Sequence, residues 1–170
     1  MRRYLYGLVT IALMVFLGGC EIEPLKLKLY GSSQEMNITD NHMIVSTAEV
    51  NDTRITGIEE LMLTLIIDHE QINDLTVTLE SPTGTRATVM KKIITEHNGE
   101  FDVHFKMEAK AEVPIKEYDA TWDTAGGVYL PEESFSRFVG ENPEGTWKIK
   151  ILDNHTLHTG KLKGWLLFFN

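Results

Sequence analysis

The sequence predicts an all-β domain built as a sandwich of two sheets. Three observations predict it. Short apolar-alternating segments recur along the chain, turn residues punctuate the intervals, and helical periodicity is weak outside Glu132 to Phe138. The 170 residues suffice for one domain with a sizeable core, and 42% hydrophobic with 24% charged residues is an ordinary globular composition.

The elements follow in order. Leu25, Leu27 and Leu29 alternate with Lys26 and Lys28, which reads as a half-buried strand that Gly31-Ser32-Ser33 breaks. Further strands are expected at Met43 to Val50, Leu61 to Asp68, Leu75 to Glu80, Arg86 to Lys91, Phe101 to Glu108, Trp147 to Leu152 and Leu162 to Phe169. Ser81-Pro82, Thr83-Gly84, Asn98-Gly99, Gly126-Gly127 and Asn142-Pro143 supply the turns. In Ser81-Pro82-Thr83-Gly84, Pro82 stands where a fixed φ is preorganised and Gly84 where a positive φ costs least. Trp147 and Trp165 are large enough to anchor a core between two sheets.

Residues 1–20 read as a targeting segment. Arg2 and Arg3 precede a mostly apolar run, Leu5 to Leu17, which is short of the roughly 20 residues a membrane span needs. It ends in Leu17-Gly18-Gly19-Cys20, which resembles a bacterial lipobox: two small residues for the peptidase, then a thiol to accept the lipid. A plain secretory signal and an uncleaved anchor are the competing readings. Cys20 is the only cysteine, so no intramolecular disulfide can form, and a lone thiol here suits acylation better than redox work. Glu21 follows it rather than the aspartate linked to inner-membrane retention, so the expected location is the cell envelope, at the outer membrane where the cell has one. Residues 21–35 are then a tether plus an extra strand from Leu25 to Tyr30, and 36–170 the folded domain. The formal charge of −9 argues against a nucleic-acid partner.

Chemistry-bearing patterns are sparse. No G-x-S-x-G occurs, and Ser32, Ser33, Ser46, Ser81, Ser134 and Ser136 have no nucleophile motif around them, so no catalytic residue is assigned. His69 reads as a packed or turn histidine. His155 and His158 lie in a loop between strands, where a solvated position suits them better than metal ligation. Asp68, Asp74, Asp119, Asp123 and Asp153 are the candidate ligands for a structural Ca²⁺ assembled from distant loops; turn-capping aspartates are the competing reading. Tyr118, Trp122 and Tyr129 are candidate stacking partners for carbohydrate, against the plainer reading as core.

Several spaced segments, taken together, resemble the P domain (P/homo B domain) of the subtilisin-like proprotein convertases. In chain order they are Ile38-Thr39-Asp40, Ile55-Thr56-Gly57-Ile58, Leu61 to His69, Asp74-Leu75, Ser81-Pro82-Thr83-Gly84-Thr85, Thr121-Trp122-Asp123 and Phe138-Val139-Gly140. Gly145-Thr146-Trp147 through Asp153, then Gly160 and Trp165, complete the match, which runs from about Met36 to Asn170. The resemblance implies a jelly-roll β-sandwich, galactose-binding-domain-like. Leu162 and Trp165 both match buried positions of that family although they stand an odd number of positions apart; a β-bulge at Gly164 would turn both inward. Leu166 and Phe168 are apolar too, so periodicity alone leaves the buried face open.

What the resemblance implies about function is a non-catalytic module that packs on a subtilisin-like catalytic domain. In this chain it points to a membrane-anchored lipoprotein that docks on or stabilises such a protease in trans. A cell-surface lipoprotein that binds carbohydrate or another ligand is the alternative.

Overall fold

The computed structural model describes residues 29–52, 54–93, 99–106, 113–117 and 127–169. The lipobox-like Leu17, Gly18, Gly19 and Cys20 lie outside them, as do Leu25, Leu27, Tyr118, Asp119, Trp122 and Asp123. Among the described residues, two sheets form a β-sandwich. One sheet is seven-stranded, in the order β1 (Leu29–Ser32), β11 (Gly160–Phe169), β4 (Leu61–His69), β7 (Gly99–Lys106), β9 (Gly127–Leu130), β8 (Val113–Pro114). β2 (Met36–Ile38) also pairs with β11. The other sheet is four-stranded, in the order β3 (Met43–Val50), β10 (Gly145–Asp153), β5 (Leu75–Glu80), β6 (Arg86–Lys91).

Period-2 patterning places the core. Leu61, Leu63, Leu65 and Ile67 of β4 are buried and face Val77 and Leu79 of β5 and Trp147, Ile149 and Ile151 of β10 across the sandwich, all at most 1% exposed. Fully burying an aliphatic side chain of this size contributes about 1.5–3 kcal/mol, so these strands dominate the stability. On β11 the pairing with β4 shifts register between Leu162 and Gly164, and Leu162 and Trp165 are both buried. The one extra residue reverses the parity, as a bulge must. Trp165 then donates from Nε1 to Ser46 Oγ of β3 at 2.9 Å, a polar link between the sheets inside the core.

Two expectations need correction. Gly31 and Ser32 do not break the first strand but continue it, pairing with Leu166 and Trp165 of β11. A Cβ at Gly31 would lie 2.0 Å from the Trp165 carbonyl oxygen, so the glycine serves close backbone approach. Leu29, the described member of the leucine alternation, also points the other way. Tyr30 turns inward, and its hydroxyl donates to Asp52 Oδ2 at 3.0 Å, whereas Leu29 is 57% exposed. Strand alternation fixed that one face was apolar; it did not say which way that face pointed.

The helical turn expected over Glu132 to Phe138 is a short 3₁₀ turn, Phe135–Phe138, begun by Ser134, whose Oγ accepts from Ser136 N. It places Phe138 against Trp147 (ring centroids 5.5 Å apart), and Trp147 against Phe169 at 5.2 Å.

Candidate functional site

One end of the sandwich gathers the residues with chemistry. β4 ends there at His69, β5 begins at Leu75, β10 ends at Asp153 and β11 begins at Gly160. Between them opens a depression of about 880 Å³, lined by Asp68, His69, Glu70, Gln71, His158 and Thr159 among others. Its walls are tied across the chain. Glu70 N donates to Thr159 O at 3.1 Å, and Thr159 N donates to Glu70 Oε2 at 2.8 Å.

Of the aspartates expected as cation ligands, Asp68, Asp74 and Asp153 are among the described residues, and each meets a different partner. Asp68 pairs with Lys163 Nζ at 3.2 Å. Asp74 Oδ2 lies 2.8 Å from His158 Nδ1, and the Asp74 carbonyl accepts from Asn154 N and Nδ2. Asp153 is fully buried; its Oδ1 accepts from His155 N at 3.0 Å, and its Oδ2 faces His69 Nε2 at 3.4 Å. Among the described residues no group of three or more His, Cys, Asp or Glu side chains is arranged to hold a metal ion. Each of these three carboxylates has a cationic or N–H partner, and Ca²⁺ requires six to eight oxygens about one point. Of the three expected stacking residues Tyr129 is described, and at 5% exposure it belongs to the core.

The loop that follows Asp153 carries a feature no sequence pattern announces. Leu157 has φ +88° and is 84% exposed, and its N–H donates to Asp40 Oδ2 at 3.0 Å. A γ-branched residue in the left-handed region is strained, and here an aspartate 117 positions away holds it.

A second constellation lies at Ser81-Pro82-Thr83-Gly84-Thr85. Gly84 N donates to Ser81 O at 3.0 Å and Gly84 has φ +91°, with Pro82 in the second position of the turn. Gly145, which opens β10, packs against Pro82. Thr83 and Thr85 hydroxyls both donate to the carboxylate of Glu141. Burial would raise the Glu141 pKa, but the hydrogen bonds from Thr85, Thr83 and Ser81 outweigh it and hold the carboxyl below its usual range. Glu141 was not legible in advance, since nothing local marks it as the partner of a turn more than fifty residues earlier.

The third is Glu80, 7% exposed on the outer face of β5. Lys150 Nζ at 2.6 Å, Lys148 Nζ at 3.0 Å and Arg86 Nε surround it. Those hydrogen bonds, Lys150 first, lower its pKa from 4.5 to about 2. This is a charge network on a sheet face, with a fixed carboxylate as its hub.

Against this geometry, the model of the proprotein convertase P-domain matches residues 58–169. The chain belongs to the proprotein convertase P-domain family. That P-domain is a non-catalytic accessory domain, associated with subtilisin-like proteases. The residues the P-domain resemblance singled out have structural places here: Asp74, Leu75 and Asp153 at strand ends, Ser81 to Thr85 in the locked turn, Trp147 and Trp165 in the core, Gly160 against His69. Similar solved structures include the serine protease of Aeromonas sobria (19% identity, TM-score 0.47). The complex of Aeromonas sobria serine protease with the chaperone ORF2 is another (20% identity, TM-score 0.46). The match covers 84% of this chain but 27% of each of those chains. No curated protein sequence matches this chain.

Proposed function

We propose that this P-domain is held at a membrane by lipid on Cys20 and acts by contact, docking on and stabilising a subtilisin-like serine protease supplied by another chain. The observation that carries this reading is the P-domain match over residues 58–169 in a chain whose residues 1–20 have the pattern of a lipoprotein signal. Accessory domains of this kind act through a domain-sized interface, and such interfaces also form between chains. The strained, exposed Leu157 beside the loop-end depression is the feature best suited to meet a partner, because a rigidly held apolar tip loses little entropy on docking.

The test is cross-linking of the full-length protein in its native membrane, followed by affinity capture and mass spectrometry. A subtilisin-like protease enriched over an unrelated lipoprotein control, and depleted with Leu157→Asp, is the expected result. Capture that never enriches such a protease would end the reading.

A further inference from the structure

We infer that the outer face of the seven-stranded sheet, along β1 and β11, rests on the lipid surface. The inference depends on the acylation of Cys20 proposed above and adds to it which side of the domain faces the membrane. The registers define the face. Leu29 of β1, Phe168 of β11 and Met62 of β4 stand in one cross-strand row; Leu166 lies in the next with Gly31 and Thr64, and Ile66, opposite Gly164, in the one after. All five apolar side chains point away from the core, with Leu29 57% and Leu166 38% exposed. Apolar residues scattered singly over a surface are ordinary, but a contiguous set spanning three strands is the mark of a covered face.

The opposite outer face is different. Its rows run Val45, Lys150, Thr78, Thr88 and Thr47, Lys148, Glu80, Arg86, so charges and hydroxyls fill it except along the β3 edge, where Met43 and Val45 are exposed. The apolar part of the first face is the end at Leu29, Phe168 and Met62; towards the other end of the strands the same face carries the Asp68–Lys163 pair.

What covers the apolar face follows from where the chain enters it. Leu29 opens β1 on that face, and the sequence continues the same alternation upstream with Leu27 and Leu25. Cys20 is nine residues before Leu29. Even fully extended, that segment reaches about 30 Å. An acyl chain on Cys20 thus confines the entry edge of the apolar face to the neighbourhood of the bilayer, which is the nearest large apolar body. Contact of this kind adds a second membrane signal to the lipid itself, as interfacial apolar faces do.

The test uses the full-length protein, acylated at Cys20 and reconstituted in vesicles of phosphatidylethanolamine and phosphatidylglycerol. With Cys20 acylated, Leu166→Cys supplies the single free thiol for a nitroxide label; Leu29→Cys reports the same face should the first variant fold poorly, and Thr47→Cys reports the opposite one. The label at 166 or 29 is expected to collide with oxygen dissolved in lipid and to be shielded from an aqueous nickel chelate, with the reverse at 47. Equal exposure of both faces to the chelate in acylated protein overturns this inference and leaves the lipoprotein reading standing. Shielding of 166 from both reagents would mean a protein covers the face, and also overturns it. An unmodified Cys20 in the mass spectrum removes the lipoprotein reading, and the orientation with it.

Discussion

The Nε2 of His69 and the Oδ2 of Asp153 face each other at 3.4 Å, both side chains completely buried, with His69 in one sheet and Asp153 in the other. On its other side the ring meets Gln71, whose carbonyl oxygen lies 2.9 Å and whose N lies 3.1 Å from His69 Nδ1. Neither His69 Nε2 nor Asp153 Oδ2 has a hydrogen-bond partner among the described residues, so the ion-pair contact is what each of them has. The pair therefore stitches the two sheets at the end where the candidate site lies. Asp153→Ala would strand the His155 amide and remove the carboxylate that the buried imidazole faces, and is expected to lower stability by about 1–3 kcal/mol. Asp153→Asn, which can still accept from His155, should lose less. Denaturant unfolding of both variants checks the order, and an alanine variant as stable as wild type would exclude a stitching role.

Glu80 makes stability depend on acid. Its folded pKa, about 2, lies below the ordinary 4.5, so its network contributes fully above pH 4.5 and is lost as pH falls towards 2. Glu80→Gln should therefore be less stable than wild type near neutrality, and the gap should close across that window. Unfolding midpoints measured against pH would show it; parallel curves would mean the three cations do not act on the carboxylate.

Trp147 is fully buried, packed between Phe138 and Phe169, and donates from Nε1 to Pro143 O at 2.8 Å. Trp147→Ala is expected to cost about 3–5 kcal/mol. Trp147→Phe keeps most of the packing and should cost less. Calorimetry distinguishes the two, and a loss under about 1 kcal/mol for alanine would contradict core burial.

Glu141 should hold the Ser81 to Thr85 turn. Glu141→Ala removes the acceptor for two hydroxyls, so the amides of Gly84 and Thr85 should exchange with deuterium faster while those of β4 do not change. Unchanged exchange in the turn would show that backbone bonds suffice.

Cys20→Ala should abolish acyl labelling and processing through the lipoprotein route. Wild-type protein that carries no acyl label and is released with the soluble fraction would remove the membrane reading.

The sequence by itself determined the sandwich class, most strand positions and the turn at Ser81 to Gly84, because alternation and turn chemistry are local properties. β3, β5 and β6 have the expected bounds, and the bulge near Gly164 was readable from parity once Leu162 and Trp165 were both placed inside. The short strands β2, β8 and β9 carried too few residues to show a period, and β9 pairs in parallel with β7, a pairing no local signal specifies. Only the tertiary structure decided which face of the first strand is covered and which partner each acid takes. Asp153 meets His69, Asp40 meets Leu157, and Glu141 meets Thr83 and Thr85 across long stretches of chain. A period of two sorts side chains into two faces but does not say which face the other sheet will cover. A carboxylate's partner is whichever group the folded chain brings within about 3 Å, a distance set by strand order rather than by any neighbour in sequence.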